Sequence, residues 1–199
     1  MLLDKLEETG EDKELMKQYL AHANPWESAT REFEAADFTF EVVLSAACFG
    51  QMKRHRMSTQ LVQDYDPGLG YTYPPSVLET GLKDEFEGIY ELTTAAYYEL
   101  VKYHPVAAQY VLTNGHRRRM IFKANARELY HVSRLREDAH AQWDIQNISR
   151  DMVAEAKKVM PMTFGLIGGK DRYNEIYQNV FGEKPRVKEA VLPSTRTIK

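Results

Sequence analysis

Apolar residues recur every three or four positions in several parts of the chain, a spacing that predicts amphipathic helices. Asn24-Pro25 and Pro105 end two of these stretches, because the residue before a proline disfavours helical backbone. Residues 44–53 are small and apolar, which predicts a closely packed, buried helix. The predicted helices cover residues 11–23, 44–53, 78–103, 106–112 and most of 125–160, with a break near 138–141 and a short helix after Pro161.

Three other stretches are rich in β-branched and aromatic residues or alternate them with polar ones, as strands do. These are residues 37–43, 57–65 and 116–123. A loop rich in proline, glycine and tyrosine is predicted over residues 66–76. We therefore expect an α/β or α+β domain, rich in helix around a central sheet whose strand order the pattern leaves open. Residues 1–185 are expected to form this single domain, and residues 186–199 a mobile C-terminal tail.

The composition is that of one globular domain, with 199 residues, 43% of them hydrophobic and 28% charged. The longest apolar run, VVLSAACFG, is too short to cross a bilayer, and the acidic N-terminus does not resemble a secretory signal. Because Cys48 is the only cysteine, the chain has no internal disulfide, and we expect a cytoplasmic protein. The formal net charge of −3 argues against binding of polyanions by the whole surface, so local basic clusters become informative.

The first basic cluster is Lys53–Arg56, which directly follows the most apolar segment of the chain. If Arg54 and Arg56 lie on a strand, their side chains share one face and His55 points to the other. Two guanidinium groups on one face would suit a phosphate or a carboxylate. The alternative is a solvated edge strand whose charges prevent aggregation. The residues alone do not decide between the two.

The second basic cluster is His116–Arg119. Together with the tyrosines of residues 71–73, which would stack on bases, it suggests a nucleic-acid surface. No signature of a nucleic-acid module accompanies the cluster, and the net charge opposes this hypothesis. The favoured interpretation is an exposed basic surface or an anion site at a subunit boundary.

Residues 125–145 form the most informative helical stretch. Asn125 followed by Glu128 is a capping-box arrangement, so a helix is predicted to begin there. At about 100° per residue, Arg136 and His140 fall at the edge of the buried stripe of this helix. The residues predicted to form that stripe are Leu129, Val132, Leu135 and Ala139.

Arg136 needs a partner if it is buried, because removing its charge from water costs several kcal/mol. Asp138 and Asp144 are close enough in sequence to supply a salt bridge, and an external anion is the alternative. The chain has no HExxH, GxGxxG or GxxxxGK[ST] motif, so we expect no catalytic metal. Cys48 lies among Ala and Phe residues and is interpreted as a core residue rather than a nucleophile.

Two stretches resemble the signature blocks of the flavin-dependent thymidylate synthase family. The first is the triplet Arg54-His55-Arg56, preceded by Gln51 at the family's usual glutamine position. The second is Asn125-Ala126-Arg127, followed after a spacer by LREDAHAQWDI over residues 135–145. Residues 22–27, HANPWE, are similar to the family's His-Glu-x-Pro-x-Glu segment. The resemblance covers residues 12–165, with an insertion near residues 29–36.

The resemblance implies the family's α/β fold, assembled as a homotetramer with active sites between subunits. It implies an FAD-dependent methyltransferase of nucleotide biosynthesis, in which NADPH reduces the flavin and methylenetetrahydrofolate supplies the carbon for C5 of dUMP. The family uses no enzyme nucleophile on the pyrimidine, in agreement with Cys48 as a core residue. Arg136 would be the catalytic, substrate-binding arginine, and Gln51 and Arg54 would also contact the substrate. The implied FAD contacts are His22, Arg54, His55, Arg56, Asn125, Leu135, His140 and His131, which stands where the family usually has an asparagine.

Five positions depart from the family's pattern at its contacts to the nucleotide: Leu61, Val62, Asp64, Asp66 and Gln109. The changes remove two arginines and add two carboxylates beside the expected phosphate. A unit charge pair at ~4 Å is worth about 4 kcal/mol at an effective dielectric constant of ~20, so binding of dUMP would suffer. Two hypotheses follow. The chain is an active enzyme of this family, or it is a divergent paralogue that keeps FAD but has lost dUMP, acting on another substrate or as a non-catalytic partner subunit.

Overall fold

The computed structural model of the chain describes residue 9, residues 11–20, residue 24 and residues 27–185. The strands are β1 (Asp37–Ser45), β2 (Thr59–Tyr65) and β3 (Arg117–Asn125). The α-helices are α1 (Glu11–Leu20), α2 (Ala46–Met52), α3 (Pro75–Glu79), α4 (Lys83–Leu100), α5 (Pro105–Ala108), α6 (Ala126–Arg136), α7 (Trp143–Val159) and α8 (Tyr173–Phe181). Single turns of 3-10 helix occur at Arg31–Ala35, Pro67–Leu69, Gln109–Val111 and Lys170–Arg172.

The three predicted strands form one antiparallel sheet in the order β1-β3-β2. Asp37 of β1 lies opposite Asn125 of β3, and the pairing continues without a break to Ser45 opposite Arg117. The pairing of β2 with β3 is irregular between Val62 and Tyr65. This topology confirms the helix-rich α+β class, and it leaves both β1 and β2 as edge strands of the described sheet.

One face of the sheet carries the core, and helices α2, α6 and α7 cover it. Met120, Phe122 and Ala124 alternate along β3 toward these helices, which bury them almost completely. Burial of a side chain as large as Phe122 stabilises the fold by about 1.5–3 kcal/mol. Cys48 is fully buried in the same core, and burial raises the pKa of its thiol. Cys48 is therefore a core residue, as the sequence predicts.

The helix predictions are confirmed in most places, with corrections to their extent. Residues 44 and 45 belong to β1, and the helix predicted over residues 106–112 ends at Ala108 and is followed by a turn of 3-10 helix. The first helix is present as far as Leu20, and residues 21–23 of that prediction lie outside the described residues. The predicted helix over residues 78–103 is wrong in extent, because Gly81 adopts φ of +73° and separates α3 from α4. That left-handed conformation is accessible to glycine without strain. The predicted break after α6 is confirmed, and the short helix after Pro161 is α8.

Helix α4 lies at the periphery of the domain, where it contacts α3, α5 and the turn at Gln109–Val111. Tyr90 is the one buried residue of this helix; it stacks on Tyr71 at 4.0 Å between ring centroids and donates to the carbonyl of Thr72. Leu92, in contrast, is 70% exposed. Large apolar side chains on α4, on α5 and in the link between them are exposed: Ile89, Leu92, Tyr98, Tyr103 and Val106. In the described part of the chain, no helix is both long enough and apolar enough to span a bilayer.

Candidate functional site

A cavity of about 890 Å³ opens between the turn that follows α2, the exposed side of α6 and residues 28–34. Its described lining contains six basic residues and two acidic ones, so the cavity favours an anionic ligand. The charged residues of the lining are Arg31, Arg54, Arg56, Arg127, Arg134, Lys170, Glu34 and Glu128.

The first basic cluster contributes one wall of the cavity. Arg54, His55 and Arg56 lie in the turn between α2 and β2, so the conditional placement on a strand is wrong. The predicted alternation nevertheless occurs: His55 is buried, with 4% exposed, while Arg54 and Arg56 are exposed. Gln60 fixes the turn by donating from Nε2 to the carbonyl of His55 at 3.0 Å. Within the described residues neither arginine forms an ion pair, and this leaves both available to a ligand.

Helix α6 contributes the opposite wall. It begins at the predicted N-cap, where Oδ1 of Asn125 accepts from the backbone N–H of Glu128 at 2.9 Å. Leu129 and Val132 are buried as predicted, but Leu135 is 42% exposed and lines the cavity. Ala139 is also exposed, because α6 ends at Arg136 and the stripe cannot continue beyond it.

Arg136 forms its hydrogen bonds with neutral groups. Its Nε donates to Nε2 of His55 at 2.9 Å, and its two terminal nitrogens donate to Oε1 and the carbonyl of Gln51 at 3.2 and 3.3 Å. The local salt bridge to Asp138 or Asp144 does not form. Burial, and then the charge of nearby Arg54, lower the pKa of Arg136 from its ordinary value. The guanidinium is thus partly buried, and no described carboxylate neutralises it.

The two candidate carboxylates have other partners. Asp144 accepts from the hydroxyl of Ser45 at 2.5 Å, a bond between the start of α7 and the start of α2. Asp138 accepts from the backbone N–H and from Nδ1 of His140, and it lies 3.6 Å from Nζ of Lys170. Both carboxylates are therefore satisfied without Arg136.

His55 links Arg136 to Glu128. The Nδ1 atom of His55 lies 3.4 Å from Oε1 of Glu128, and both side chains are buried. Since Nε2 of His55 accepts from Arg136, this nitrogen carries no proton, and the proton of the neutral ring resides on Nδ1, toward Glu128. Glu128, His55 and Arg136 therefore form one chain of polar contacts beside the cavity.

Most of the predicted cofactor contacts meet at this cavity. Gln51 and Arg136, the predicted substrate contacts, are not in its lining, and they are linked to it through the hydrogen bond of Arg136 to His55. The side chain of His140 is 93% exposed and does not line the cavity, and His22 lies outside the described residues. The predicted contacts in the lining are Arg54, His55, Arg56, Asn125, His131 and Leu135.

Several lining residues were missed by the sequence reasoning. Arg31 and Glu34 belong to the insertion near residues 29–36, in which the sequence indicates no functional residue. Nη1 of Arg127 donates to Glu34 at 2.6 Å, and this bond ties the insertion to α6. Lys170 follows a glycine turn in which no local pattern indicates a site.

The side chains of the second basic cluster have partners within the chain, and its three arginines are half-buried. His116 is fully buried, and its Nδ1 accepts from the backbone N–H of Thr113. The guanidinium of Arg118 lies 4.6 Å from the ring centroid of Phe49 and 4.3 Å from that of Tyr65. The other two arginines bond Thr72 and Glu41. These internal contacts leave little support for the nucleic-acid hypothesis.

The positions that depart from the family pattern lie together at the end of β2. Leu61 is 63% exposed and Asp64 is also exposed. Gln109 reaches this strand, because its Oε1 accepts from the backbone N–H of Tyr65 at 3.4 Å. Asp66 accepts from the backbone N–H of Gly68 at 2.8 Å and so caps the following turn. The structure thus brings Gln109 to the backbone of Tyr65, the residue between the two aspartates.

A comparison with known families assigns the chain to one of them. The sequence profile of the family described as "thymidylate synthase complementing protein" matches residues 2–162. The chain belongs to this family. The two matched sequence blocks had predicted this membership, and the comparison confirms it.

Named relatives of this family match about two thirds of the chain. A flavin-dependent thymidylate synthase of Sulfurisphaera tokodaii is 33% identical over 68% of this chain and 56% of its own length. One from Geobacter sulfurreducens is 34% identical over 66% of the chain and 61% of its own length. A UPF0159 protein of Chlamydia pneumoniae is 28% identical over 71% of this chain and 27% of its own length. The chain therefore spans between about a quarter and three fifths of these relatives.

Proposed function

We propose that this chain is an FAD-dependent enzyme that methylates dUMP to dTMP, with FAD held in the basic cavity. The excess of positive charge on the cavity lining carries this proposal, because FAD presents a pyrophosphate that basic side chains bind. A volume of about 890 Å³ lies within the range of about 300–1,000 Å³ typical of cofactor sites. Relatives named flavin-dependent thymidylate synthases support the choice of a flavin.

Arg54 and Arg56 would hold the phosphates of FAD, since both are exposed to the cavity without a described counter-charge. Asn125, His131 and Leu135 would contact the remainder of the cofactor, with Leu135 offering an apolar surface. When bound, FAD would supply the electrons that NADPH provides and that reduce the carbon taken from methylenetetrahydrofolate. The chain itself would bind, orient and shield the reactants from water.

Arg136 would bind the nucleotide substrate beside the flavin. Its hydrogen bonds to His55 and Gln51 hold the guanidinium in place without cancelling its charge. Charge that develops on the pyrimidine during methylation would be stabilised by such a preorganised cation. Cys48 would take no part, because it is buried in the core as a thiol.

The same proposal includes a homotetramer in the cytoplasm with active sites between subunits. The apolar surface of α4 and α5 supports an assembly, since large apolar side chains such as Leu92 and Val106 are unpaired in the described chain.

The exposed Asp64 and the nearby Gln109 favour a second candidate function, that of a paralogue which binds FAD but not dUMP. A carboxylate in place of a phosphate-binding side chain repels the phosphate. Such a paralogue would act on another substrate or serve as a non-catalytic partner subunit.

A titration with FAD followed by dUMP separates these functions. We expect the purified protein to take up FAD and turn yellow, and we expect dUMP to perturb the flavin absorbance. After NADPH has reduced the flavin, dUMP and methylenetetrahydrofolate together should reoxidise it, because the one-carbon unit accepts the electrons. A colourless protein that does not bind FAD would contradict both functions. FAD binding without any response to dUMP would select the paralogue. In that case the double variant Asp64→Ser/Gln109→Arg should raise dUMP affinity at least about tenfold, equivalent to about 1.4 kcal/mol.

A further inference from the structure

We propose that Glu128 is a positioning residue that acts through His55 to set the orientation of Arg136. The role of Arg136 in substrate binding rests on the function proposed above. The contacts among Glu128, His55 and Arg136 do not depend on that function. Glu128 lies in the first turn of α6, which forms one wall of the cavity. Its side chain reaches across to His55 in the turn after α2, which forms the other wall. It therefore joins the two walls of the cavity.

The direction of the hydrogen bond from Arg136 carries the proposal. An arginine nitrogen can only donate, so Nε2 of His55 must be the unprotonated acceptor of the 2.9 Å contact. The ring proton then sits on Nδ1, and Oε1 of Glu128 lies 3.4 Å from this nitrogen, a close polar contact although not an aligned hydrogen bond. A carboxylate at this point stabilises that tautomer, as carboxylates do for other functional histidines.

The opposite tautomer would undo the arrangement. A proton on Nε2 would point at the N–H of Arg136, and two donors would face each other. Arg136 would then keep its bonds to Gln51 at 3.2 and 3.3 Å but lose the contact that fixes its Nε. A doubly protonated His55 would have the same effect and would add a second positive charge beside Arg136.

An indirect link has an advantage over direct pairing. A carboxylate in contact with Arg136 would orient the guanidinium but would also neutralise much of its charge. Glu128 orients it through a neutral imidazole, so the positive charge remains available to an anionic substrate. Another ionisable group near His55 is His131, whose ring centroid is 6.0 Å from that of His55, while Arg54 and Arg56 line the same cavity.

The test is nitrogen NMR of the full chain labelled with 15N in its histidine rings, at pH 8. The spectrum of His55→Gln assigns the signals of His55, and long-range proton couplings identify which ring nitrogen carries the proton. We expect the proton on Nδ1 in the wild type and in Glu128→Gln, whose amide oxygen can still accept. In Glu128→Leu we expect a substantial population with the proton on Nε2. Glu155→Leu, an exposed position on α7, is the matched control and should leave His55 unchanged.

A second readout connects the tautomer to binding. Glu128→Leu should weaken dUMP binding at least about tenfold, which corresponds to about 1.4 kcal/mol, whereas Glu128→Gln should restore most of the affinity.

A wild-type His55 that carries its proton on Nε2 or on both nitrogens would overturn the proposal. So would a folded Glu128→Leu protein that keeps the Nδ1 tautomer. If Glu128→Leu does not fold, the wild-type and Glu128→Gln spectra still decide. Failure of the wild type to bind dUMP would overturn the proposed function, and the NMR result would stand independently of it.

Discussion

Arg136 donates its Nε–H to Nε2 of His55 across 2.9 Å, so two basic side chains meet as donor and acceptor rather than as two cations. This contact joins the end of α6 to the turn that follows α2, although the two residues are 81 positions apart. It explains how an arginine is partly buried without a described carboxylate. The contact requires a neutral His55, and it fixes the cation of Arg136 next to the basic cavity.

The shape of Arg136 is predicted to matter as well as its charge. Arg136→Lys keeps one positive charge but cannot donate to His55 and to both acceptors of Gln51 together. Loss of one or two charge-assisted hydrogen bonds costs about 1.5–3 kcal/mol each, so we expect nucleotide affinity to fall at least about tenfold. Isothermal titration calorimetry of the flavin-loaded protein with dUMP measures this nucleotide affinity. Arg150→Lys, at an exposed position of α7, is the control, and equal affinities in all three proteins would contradict the prediction.

Acid is predicted to destabilise the fold through His116. Burial lowers the pKa of His116, so the unfolded chain takes up a proton at a higher pH than the folded chain does. The stability contribution is complete above the unfolded value of about 6.5 and is lost as pH falls below it, with a slope of at most about 1.4 kcal/mol per pH unit. Urea unfolding at pH 7.5 and 5.5 measures the loss. His116→Asn, whose amide oxygen can replace the Nδ1 acceptor for Thr113, should be less stable at pH 7.5 but lose less on acidification.

The bond between Ser45 and Asp144 is predicted to be a strong contributor to stability. The hydroxyl of Ser45 donates to the buried carboxylate of Asp144 and accepts from the backbone N–H of Cys48, so it also caps α2. Ser45→Ala removes the cap and leaves the carboxylate without this donor, and we expect a loss of about 2–4 kcal/mol in the free energy of unfolding. Ser76→Ala, at an exposed position of α3, should change stability by no more than about 0.5 kcal/mol. Chemical denaturation that finds the two variants equally stable would contradict this account.

Two neighbouring arginines of β3 are predicted to differ in their importance. Arg118 lies between the rings of Phe49 and Tyr65 and donates to the carbonyl of Gln63, so Arg118→Gln should cost about 1–2 kcal/mol. Arg119 pairs with Glu41 on the open face of the sheet, and Arg119→Gln should cost no more than about 1 kcal/mol. Thermal unfolding of both variants provides the comparison. The reverse order of stabilities would show that the stacked arginine does not hold β2 to the sheet.

The fold was predictable where local patterns are strong. The alternation in β1 and β3, the cap at Asn125 and the apolar surroundings of Cys48 all specify their structure within a few residues of sequence. Strand order was not predictable, because the pairing partners of β3 are far away along the chain. The break at Gly81 was not predictable, because a single glycine inside a helical pattern is often tolerated.

The site was predictable in its residue types and less so in its contacts. Helical periodicity predicts that Leu135 packs in the core. Leu135 instead lines the cavity, because the cavity rather than the core lies opposite this end of the apolar stripe. Sequence proximity suggested Asp138 and Asp144 for Arg136, whereas Asp144 is already bonded to Ser45, 99 positions away. The partner of Arg136 follows from how α2 and α6 pack, and periodicity carries no information about that.

Tyr90 is the one buried residue of α4, and this has a consequence for local unfolding of the helix. A helix of 18 residues that is held mainly through Tyr90 and through the 3.1 Å hydrogen bond between Thr94 and His116 is expected to detach from the domain without unfolding the sheet. Its backbone amides should therefore exchange with solvent far faster than those of β3. If a second copy covers the apolar surface of this helix, dilution should accelerate the exchange of α4 and leave that of β3 unchanged. Hydrogen exchange at two protein concentrations would then report association at one helix while the sheet serves as an internal reference.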